Sequence, residues 1–184
     1  VPGILILITF IIIRVGLAMT PFETLHKFIF GVLQIPLQNL TNNIWTFLLC
    51  MLLMQLLWLV GVHGPTIVFS VMAPLWTATA TENLAAVTAG GEAPNIISTS
   101  FYIMLNSFGG SGMTLALVFM MTFLAKSKQL KTLGKLSLAP ALFNINEPII
   151  FGIPIVMNPI LVVPFIITPI VATLVTYFAM NFGL

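Results

Sequence analysis

A long stretch of this chain carries no charge. No Asp, Glu, Lys or Arg occurs from Phe28 to Thr81, and 5% of all residues are charged, against roughly 25% in an ordinary soluble domain. The mean hydropathy is +1.15, and apolar runs reach the roughly 20 residues that cross a bilayer as a helix. This composition argues against a soluble fold, and we expect an all-α membrane protein.

The N-terminal region combines an apolar run with a mixed segment. Residues 1–13 are apolar and end at Arg14, as a spanning helix does when a basic side chain reaches the interface. No basic residue precedes this run and no small-residue cleavage site follows it, so we do not expect a signal peptide. The first residue is Val1 rather than Met, and we therefore expect a fragment of a longer chain. Residues 21–43 mix charged, amide and apolar side chains, which predicts an amphipathic helix along the membrane surface, kinked or ended by Pro36.

The next part of the chain alternates a complete span with an interrupted segment. The run from Ile44 to Val62 is long enough to cross the bilayer as a helix, which is expected to end near Gly61–Pro65. Residues 63–80 are apolar but contain Pro74, which predicts a re-entrant hairpin. The polar residues 81–100, rich in Ala and Gly, are predicted to form an exposed loop.

A second charge-free run covers residues 101–125. The glycines of FGGSG, residues 108–112, interrupt it, which predicts a discontinuous helix whose freed backbone groups need a polar lining. The sequence KSKQLKTLGK follows, with four lysines and no acid, and this pattern is typical of a short cytoplasmic loop. The resulting topology places residues 14–43 inside and residues 81–100 outside.

Prolines recur through the C-terminal part. The apolar segment 136–158 contains Pro140, Pro148 and Pro154, so a regular helix is not expected to persist through it. This pattern predicts a second re-entrant hairpin, entering from the inside, followed by a span over residues 160–182. Two opposed broken segments are the best sequence indication of a transporter site near the bilayer midplane.

Each broken segment holds one ionisable side chain followed closely by proline: His63 in GVHGPT and Glu147 in INEPII. Glu147 is the only charged residue from Leu136 to Leu184, and a carboxylate in hydrocarbon costs several kcal/mol unless it is paired, solvated or protonated. We therefore expect both side chains in a binding site. The alternatives are an acid held only by Asn144, Asn146 or a helix N-terminus, and an ordinary hydrogen-bonded interior histidine.

A carboxylate and an imidazole together suit a ligand rich in hydroxyl groups. The carboxylate offers two acceptor oxygens to adjacent sugar hydroxyls, and the imidazole can donate or accept. Asn106 and Ser107, just before the glycines, are further candidate ligands, although an asparagine there could equally cap a broken helix. The three tryptophans, Trp45, Trp58 and Trp76, could stack on a sugar ring or mark the membrane interface.

Other chemistries have weaker support in the sequence. GGSG, residues 109–112, resembles the nucleophile motif of rhomboid-type intramembrane proteases, but no histidine follows Ser111. The chain has no H-E-x-x-H motif, no cysteine pair and no phosphate-binding glycine loop. We expect no metal, no cofactor and no nucleic-acid partner, and we expect Cys50 to pack within an apolar helix.

Two stretches together resemble a known family. The run LAPALFNINEPIIFGIPIVMNPILVVPFI, with GVHGP well upstream, resembles the membrane C component (EIIC) of bacterial sugar phosphotransferase systems, in the lactose, cellobiose and diacetylchitobiose family. The resemblance implies a multi-pass importer of the bacterial plasma membrane, which binds a disaccharide and presents it to a phosphorylated cytoplasmic B component. The resemblance also implies that a phosphocysteine of that B component donates the phosphoryl group. Residues 1–43 would then end the N-terminal half, and residues 44–184 would form the substrate-binding transport domain.

The resemblance also implies roles for particular residues. The family's sugar contacts fall on His63 and Glu147, with Gly64 and Asn146 beside them, and either His63 or Glu147 becomes a candidate base for the accepting hydroxyl. Family members are more than twice as long and form homodimers, so phosphorylation is expected of the complex and not of this chain alone. A proton-coupled secondary sugar transporter that uses the same pair is the alternative, and a purely structural membrane role is a third possibility.

Overall fold

The computed structural model describes residues 2–29, 31–32, 42–156 and 158–183, and helices dominate these ranges. The chain divides into two compact units, Val1–Thr41 and Asn42–Leu184. In the described part of the first unit the helices are α1 (Pro2–Ala18) and α2 (Leu25–Ile29). In the described part of the second unit they are α3 (Ile44–Leu59), α4 (Gly64–Thr88), α5 (Thr99–Asn106), α6 (Leu115–Phe119, continued by a wider π turn at Met120–Leu124), α7 (Lys128–Leu142), α8 (Glu147–Gly152) and α9 (Pro159–Asn181).

The apolar run at the start of the first unit forms α1. The sequence predicted that this helix ends at Arg14, but the helix continues to Ala18. The Arg14 guanidinium instead donates a hydrogen bond to the backbone carbonyl of Glu23, at 3.2 Å, beyond the end of the helix. A basic side chain within the last turns of an apolar helix can still reach polar surroundings, because its long stem spans the distance.

The segment predicted to lie along the membrane surface is described in part. Within residues 21–43 the structure shows α2, while Pro36 lies outside the described residues. Lys27 donates a hydrogen bond to the Glu23 carboxylate, one helical turn away. This bond and the lysine charge lower the pKa of Glu23 below its ordinary value.

The described residues contain one helix, α9, that is long and apolar enough to cross a membrane alone. The segments Thr99–Met113 and Leu115–Leu124 pass the same test together, but they meet at a bend of 54°. Helices α1 and α3 are apolar and shorter. The long apolar helix predicted over 160–182 is therefore confirmed, and so is the discontinuity predicted within 101–125.

Glycine makes the bend possible. Three glycines of FGGSG have positive φ angles, which residues with a side chain rarely adopt: Gly109 (90°), Gly110 (71°) and Gly112 (75°). Gly112 also lies against α9, where an added Cβ would be 2.2 Å from Cδ2 of Phe165. The local sequence thus interrupts the helix and lets the phenyl ring pack into the interruption.

The hairpin predicted over residues 63–80 is replaced by a continuous helix. α4 runs through Pro74 to Thr88, so the first part of the loop predicted over 81–100 is helical as well. Proline removes one backbone hydrogen bond and kinks a helix, but packing elsewhere can offset that loss. Pro74 lies on the exposed side of α4, whereas Trp76 on the inner side is fully buried.

The lysine-rich segment is also helical rather than a loop. Three of its four lysines lie on α7, which continues through Pro140 to Leu142. Gly134 allows close packing, because a Cβ there would lie 2.6 Å from the backbone nitrogen of Thr122. The chain then turns and begins α8, so the break predicted within 136–158 is present. That α7 and α8 enter and leave by the same membrane face stays a prediction.

An apolar core joins the helices that carry the candidate site. It is built around Trp58 of α3, which is 3% exposed, and around α8, whose Ile149 and Ile150 are fully buried. The remaining members are Val118, Met121, Ala141, Ile155 and Phe165. This packing holds the start of α8 close to the end of α3 and the start of α4.

Candidate functional site

His63 is placed by the start of α4, where it is the N-cap residue. Its Nδ1 accepts a hydrogen bond from the backbone N–H of Thr66 at 3.2 Å, and the Thr66 hydroxyl lies 2.7 Å from the same nitrogen. The first N–H groups of a helix have no partner inside the helix, so a side-chain acceptor at this position stabilises the helix start. The imidazole therefore has a fixed orientation.

Glu147 is the first residue of α8 and lies opposite His63. Its Oε1 is 3.6 Å from Nε2 of His63, and the two side chains are 42% and 47% exposed, respectively. This distance is longer than a good hydrogen bond of about 2.7–3.2 Å, so both atoms keep capacity for another partner. The structure thus brings together the two ionisable groups that the sequence singled out.

Two aromatic side chains, Trp58 and Phe151, lie beside this pair. The Trp58 ring is 4.7 Å from the imidazole of His63 and 6.1 Å from the ring of Phe151, measured between centroids. The indole Nε1 of Trp58 is buried and has no hydrogen-bond partner. Of the other tryptophans, Trp45 is 74% exposed and Trp76 packs in a separate aromatic cluster. Trp58 is the tryptophan next to the candidate site.

Gly64 has a packing role that the sequence did not reveal. It is buried at the start of α4, and an added Cβ would lie 2.0 Å from the carbonyl oxygen of Met54. The backbones of α3 and α4 therefore touch at this point. Gly64 permits the close approach that carries the neighbouring His63 to its position.

Asn146 is 3% exposed and serves as a bridge between segments. Its side-chain amide donates a hydrogen bond to the carbonyl of Ser111, and Oδ1 of Asn144 accepts one from the backbone N–H of Gly109 at 3.2 Å. These bonds tie the turn before α8 to the glycine-rich bend. The side-chain amides of Asn144 and Asn146 thus make their hydrogen bonds to the backbone of the glycine-rich bend, and not to the carboxylate of Glu147.

The two other candidate ligands lie at the end of α5. The Ser107 hydroxyl donates a hydrogen bond to the backbone carbonyl of Ile103 at 2.7 Å. The backbone carbonyl of Asn106 accepts one from the backbone N–H of Gly110 at 3.0 Å. Both bonds stay within the local turn. The described contacts therefore do not join Asn106 or Ser107 to His63 and Glu147.

A cavity of about 190 Å³ lies away from the pair, between the glycine-rich bend and α9. Its lining is mostly apolar and includes Leu161, Pro164 and Phe165. A ligand rich in hydroxyl groups needs polar partners for the hydrogen bonds that it gives up in water. The candidate site is accordingly the half-exposed His63 and Glu147 pair, and not this cavity.

The bridging role of Asn146 leads to a testable prediction. Asn146→Ala removes a buried hydrogen bond and leaves the Ser111 carbonyl without its partner, so we expect a loss of stability of about 1–3 kcal/mol. The measurement is the midpoint of thermal unfolding of the purified protein in detergent. Asn181→Ala, at an exposed helix end, is the matched control and should leave the midpoint unchanged. Equal midpoints for the two variants would contradict the bridging role.

The chain is similar in sequence to proteins of known type along its full length. Residues 1–169 match the family described as Phosphotransferase system, EIIC. The chain is 46% identical over 185 residues to the oligo-beta-mannoside-specific EIIC component of Bacillus subtilis (strain 168), covering 100% of this chain and 42% of that protein. It is also 46% identical over 186 residues to the cellobiose-specific EIIC component of Geobacillus stearothermophilus, covering 100% of this chain and 41% of that protein.

The fold is similar as well. The comparison is with the crystal structure of the transporter ChbC, the IIC component from the N,N'-diacetylchitobiose-specific phosphotransferase system. The match has a TM-score of 0.78 and 45% identity, and it covers 99% of this chain and 42% of ChbC. The chain spans about two-fifths of the length of these relatives. Because sequence and fold agree over nearly all of its residues, the chain belongs to the EIIC family of the phosphotransferase system.

Proposed function

We propose that this chain is the sugar-binding part of the permease subunit of a phosphoenolpyruvate-dependent phosphotransferase system. The observation that carries the proposal is the 3.6 Å approach of His63 Nε2 to Glu147 Oε1, with both side chains about half exposed. A donor and an acceptor side by side can bind sugar hydroxyls, which donate and accept hydrogen bonds. His63 and Glu147 are the proposed direct contacts, and Gly64 and Asn146 hold the backbone segments that present them.

The proposed substrate class is a β-linked disaccharide. Relatives that match the whole chain are named for oligo-beta-mannoside and cellobiose, and the similar solved structure is named for N,N'-diacetylchitobiose. Such a ligand has a polar edge and apolar ring faces. The aromatic rings of Trp58 and Phe151 beside the pair offer an apolar surface that complements those faces.

Transport is proposed to end in phosphoryl transfer inside the cell. A sugar hydroxyl oxygen forms a bond to phosphorus, the bond from phosphorus to the cysteine sulfur of the phosphorylated B component breaks, and the hydroxyl proton passes to His63 or Glu147. The exposed lysines at the start of α7 would face the phosphorylated partner. Several membrane crossings and a homodimer complete the proposed assembly, to which parts of the full-length protein outside this chain contribute.

Uptake into vesicles tests this function. We expect vesicles that hold the permease and a phosphorylated B component to accumulate phosphorylated cellobiose, and to continue when the proton gradient is collapsed. Omitting the B component should stop accumulation. Uptake that needs the gradient but no phosphorylated partner would overturn the proposal in favour of proton-coupled transport, which the family membership does not favour.

A further inference from the structure

The bonds at the start of α4 determine which nitrogen of His63 can carry a proton. A neutral imidazole has one N–H donor and one acceptor nitrogen. The backbone N–H of Thr66 can only donate, and it points at Nδ1 from 3.2 Å. Nδ1 is therefore the acceptor. The proton of the neutral ring must then lie on Nε2, which is the atom that faces Glu147.

We propose that Thr66 is a positioning residue that holds His63 in the tautomer protonated at Nε2, with the resulting N–H aimed at the Glu147 carboxylate. The Thr66 hydroxyl, 2.7 Å from Nδ1, adds a second donor to the same nitrogen. The ring of Trp58 packs beside the imidazole, with 4.7 Å between the centroids, and so limits how far the imidazole can move toward that side. One consequence rests on the proposed function: in hydrogen bonds to the sugar, His63 is the donor and Glu147 is the acceptor.

The polarity of the pair defines what can bind between its members. Nε2 and Oε1 are 3.6 Å apart, so hydrogen bonds of about 2.7–2.9 Å from one oxygen atom can reach both. That oxygen must accept from His63 and donate to Glu147. A hydroxyl does both, whereas an ether oxygen or a fluorine atom has no proton to give. The site thus selects a free hydroxyl at this position of the sugar.

Nitrogen NMR of the membrane-embedded protein tests the tautomer directly. We use protein labelled with ¹⁵N in its histidine rings, without sugar, and assign His63 by comparison with His63→Asn. Nδ1 should give the signal of an unprotonated nitrogen and Nε2 that of a protonated one. A protonated Nδ1 in the neutral ring would overturn the proposal. Because no sugar is present, this result does not depend on the proposed function.

Two substitutions at residue 66 test the role of Thr66. Thr66→Val removes the hydroxyl but keeps the shape, and Thr66→Ser keeps the hydroxyl. The backbone N–H of residue 66 remains in the valine variant, so we expect only a partial rise in the fraction of ring protonated at Nδ1. Loss of the hydroxyl should weaken cellobiose binding about two- to tenfold, the effect of one hydrogen bond. The serine variant should behave like the wild type. A valine variant with unchanged ring signals and affinity would overturn the positioning role of the Thr66 side chain.

Substitutions of the histidine separate donation from capping. Gln at residue 63 can place an amide N–H near the position of Nε2, whereas Asn can place an acceptor oxygen near that of Nδ1. We expect His63→Gln to bind N,N'-diacetylchitobiose and cellobiose more tightly than His63→Asn, and His63→Asn to unfold at the higher temperature, since Asn is the better N-cap. Tighter binding by the asparagine variant would overturn the proposal. Absence of sugar binding in the wild type, with ring signals as expected, would instead overturn the proposed function.

Discussion

Glu147→Gln is expected to weaken disaccharide binding about 10- to 150-fold, because hydrogen bonds to a charged group contribute about 1.5–3 kcal/mol. The substitution keeps the size of the side chain and removes its charge and one of its acceptor oxygens. Glu147 faces His63 and has 42% of its side chain exposed, so the change acts on a surface that a ligand can reach. Equilibrium titration with cellobiose, β-linked mannobiose and N,N'-diacetylchitobiose measures the effect.

The matched control for this prediction is Glu92→Gln. Glu92 lies in the exposed segment between α4 and α5, and its substitution makes the same change in charge away from the site. We expect wild-type affinity for Glu92→Gln and wild-type unfolding temperatures for both variants. Unchanged affinity in Glu147→Gln would contradict the site and would support a purely structural role for the acid.

Gly64→Ala is expected to destabilise the protein at the upper end of the range of about 1–3 kcal/mol that is typical of overpacking. The new methyl group would lie 2.0 Å from the carbonyl oxygen of Met54, and backbone atoms cannot move aside as a flexible side chain can. Helices α3 and α4 would have to separate, which displaces His63. We therefore expect a lower thermal midpoint in detergent and, in the folded fraction, weaker sugar binding.

Gly16→Ala provides the control for this second prediction. No atom lies within 4 Å of a Cβ at Gly16, which is in the interior of α1. Alanine favours helix over glycine by about 1 kcal/mol, so this variant should unfold at the wild-type temperature or above it. If Gly64→Ala unfolded at the same temperature as Gly16→Ala, the result would contradict the close approach of α3 and α4.

The features that the sequence predicted correctly depend on local properties. The lack of charge indicated a helical membrane protein, since ionised side chains in hydrocarbon are costly wherever they lie. The glycines of FGGSG predicted the bend, because residues with a Cβ avoid the positive φ angles found there. Proline next to an ionisable group singled out His63 and Glu147, which the structure brings together, while their role in binding stays a prediction. Each of these arguments needs only a residue and its neighbours in the chain.

The predictions that failed treated local tendencies as decisive. Pro74 was expected to break the chain into a hairpin, and α4 continues through it because burial of residues such as Trp76 offsets one lost backbone bond. The lysine-rich segment was expected to form a loop and is helical. Lysine is a good helix former, and Gly134 lets that helix pack against its neighbour. In both cases tertiary packing selected among conformations that the sequence allows.

The sequence by itself determined the membrane class of the chain, the position of the glycine bend, the two titratable side chains and the family resemblance. The tertiary structure alone decided that His63 and Glu147 lie 3.6 Å apart, that Asn146 bonds Ser111, and that Gly64 touches α3. The sequence analysis missed Thr66 because a threonine near a helix start is common. Its importance becomes visible only when the structure places Glu147 at the other nitrogen of His63. Contacts between distant segments depend on how whole helices pack, and no local rule encodes that packing.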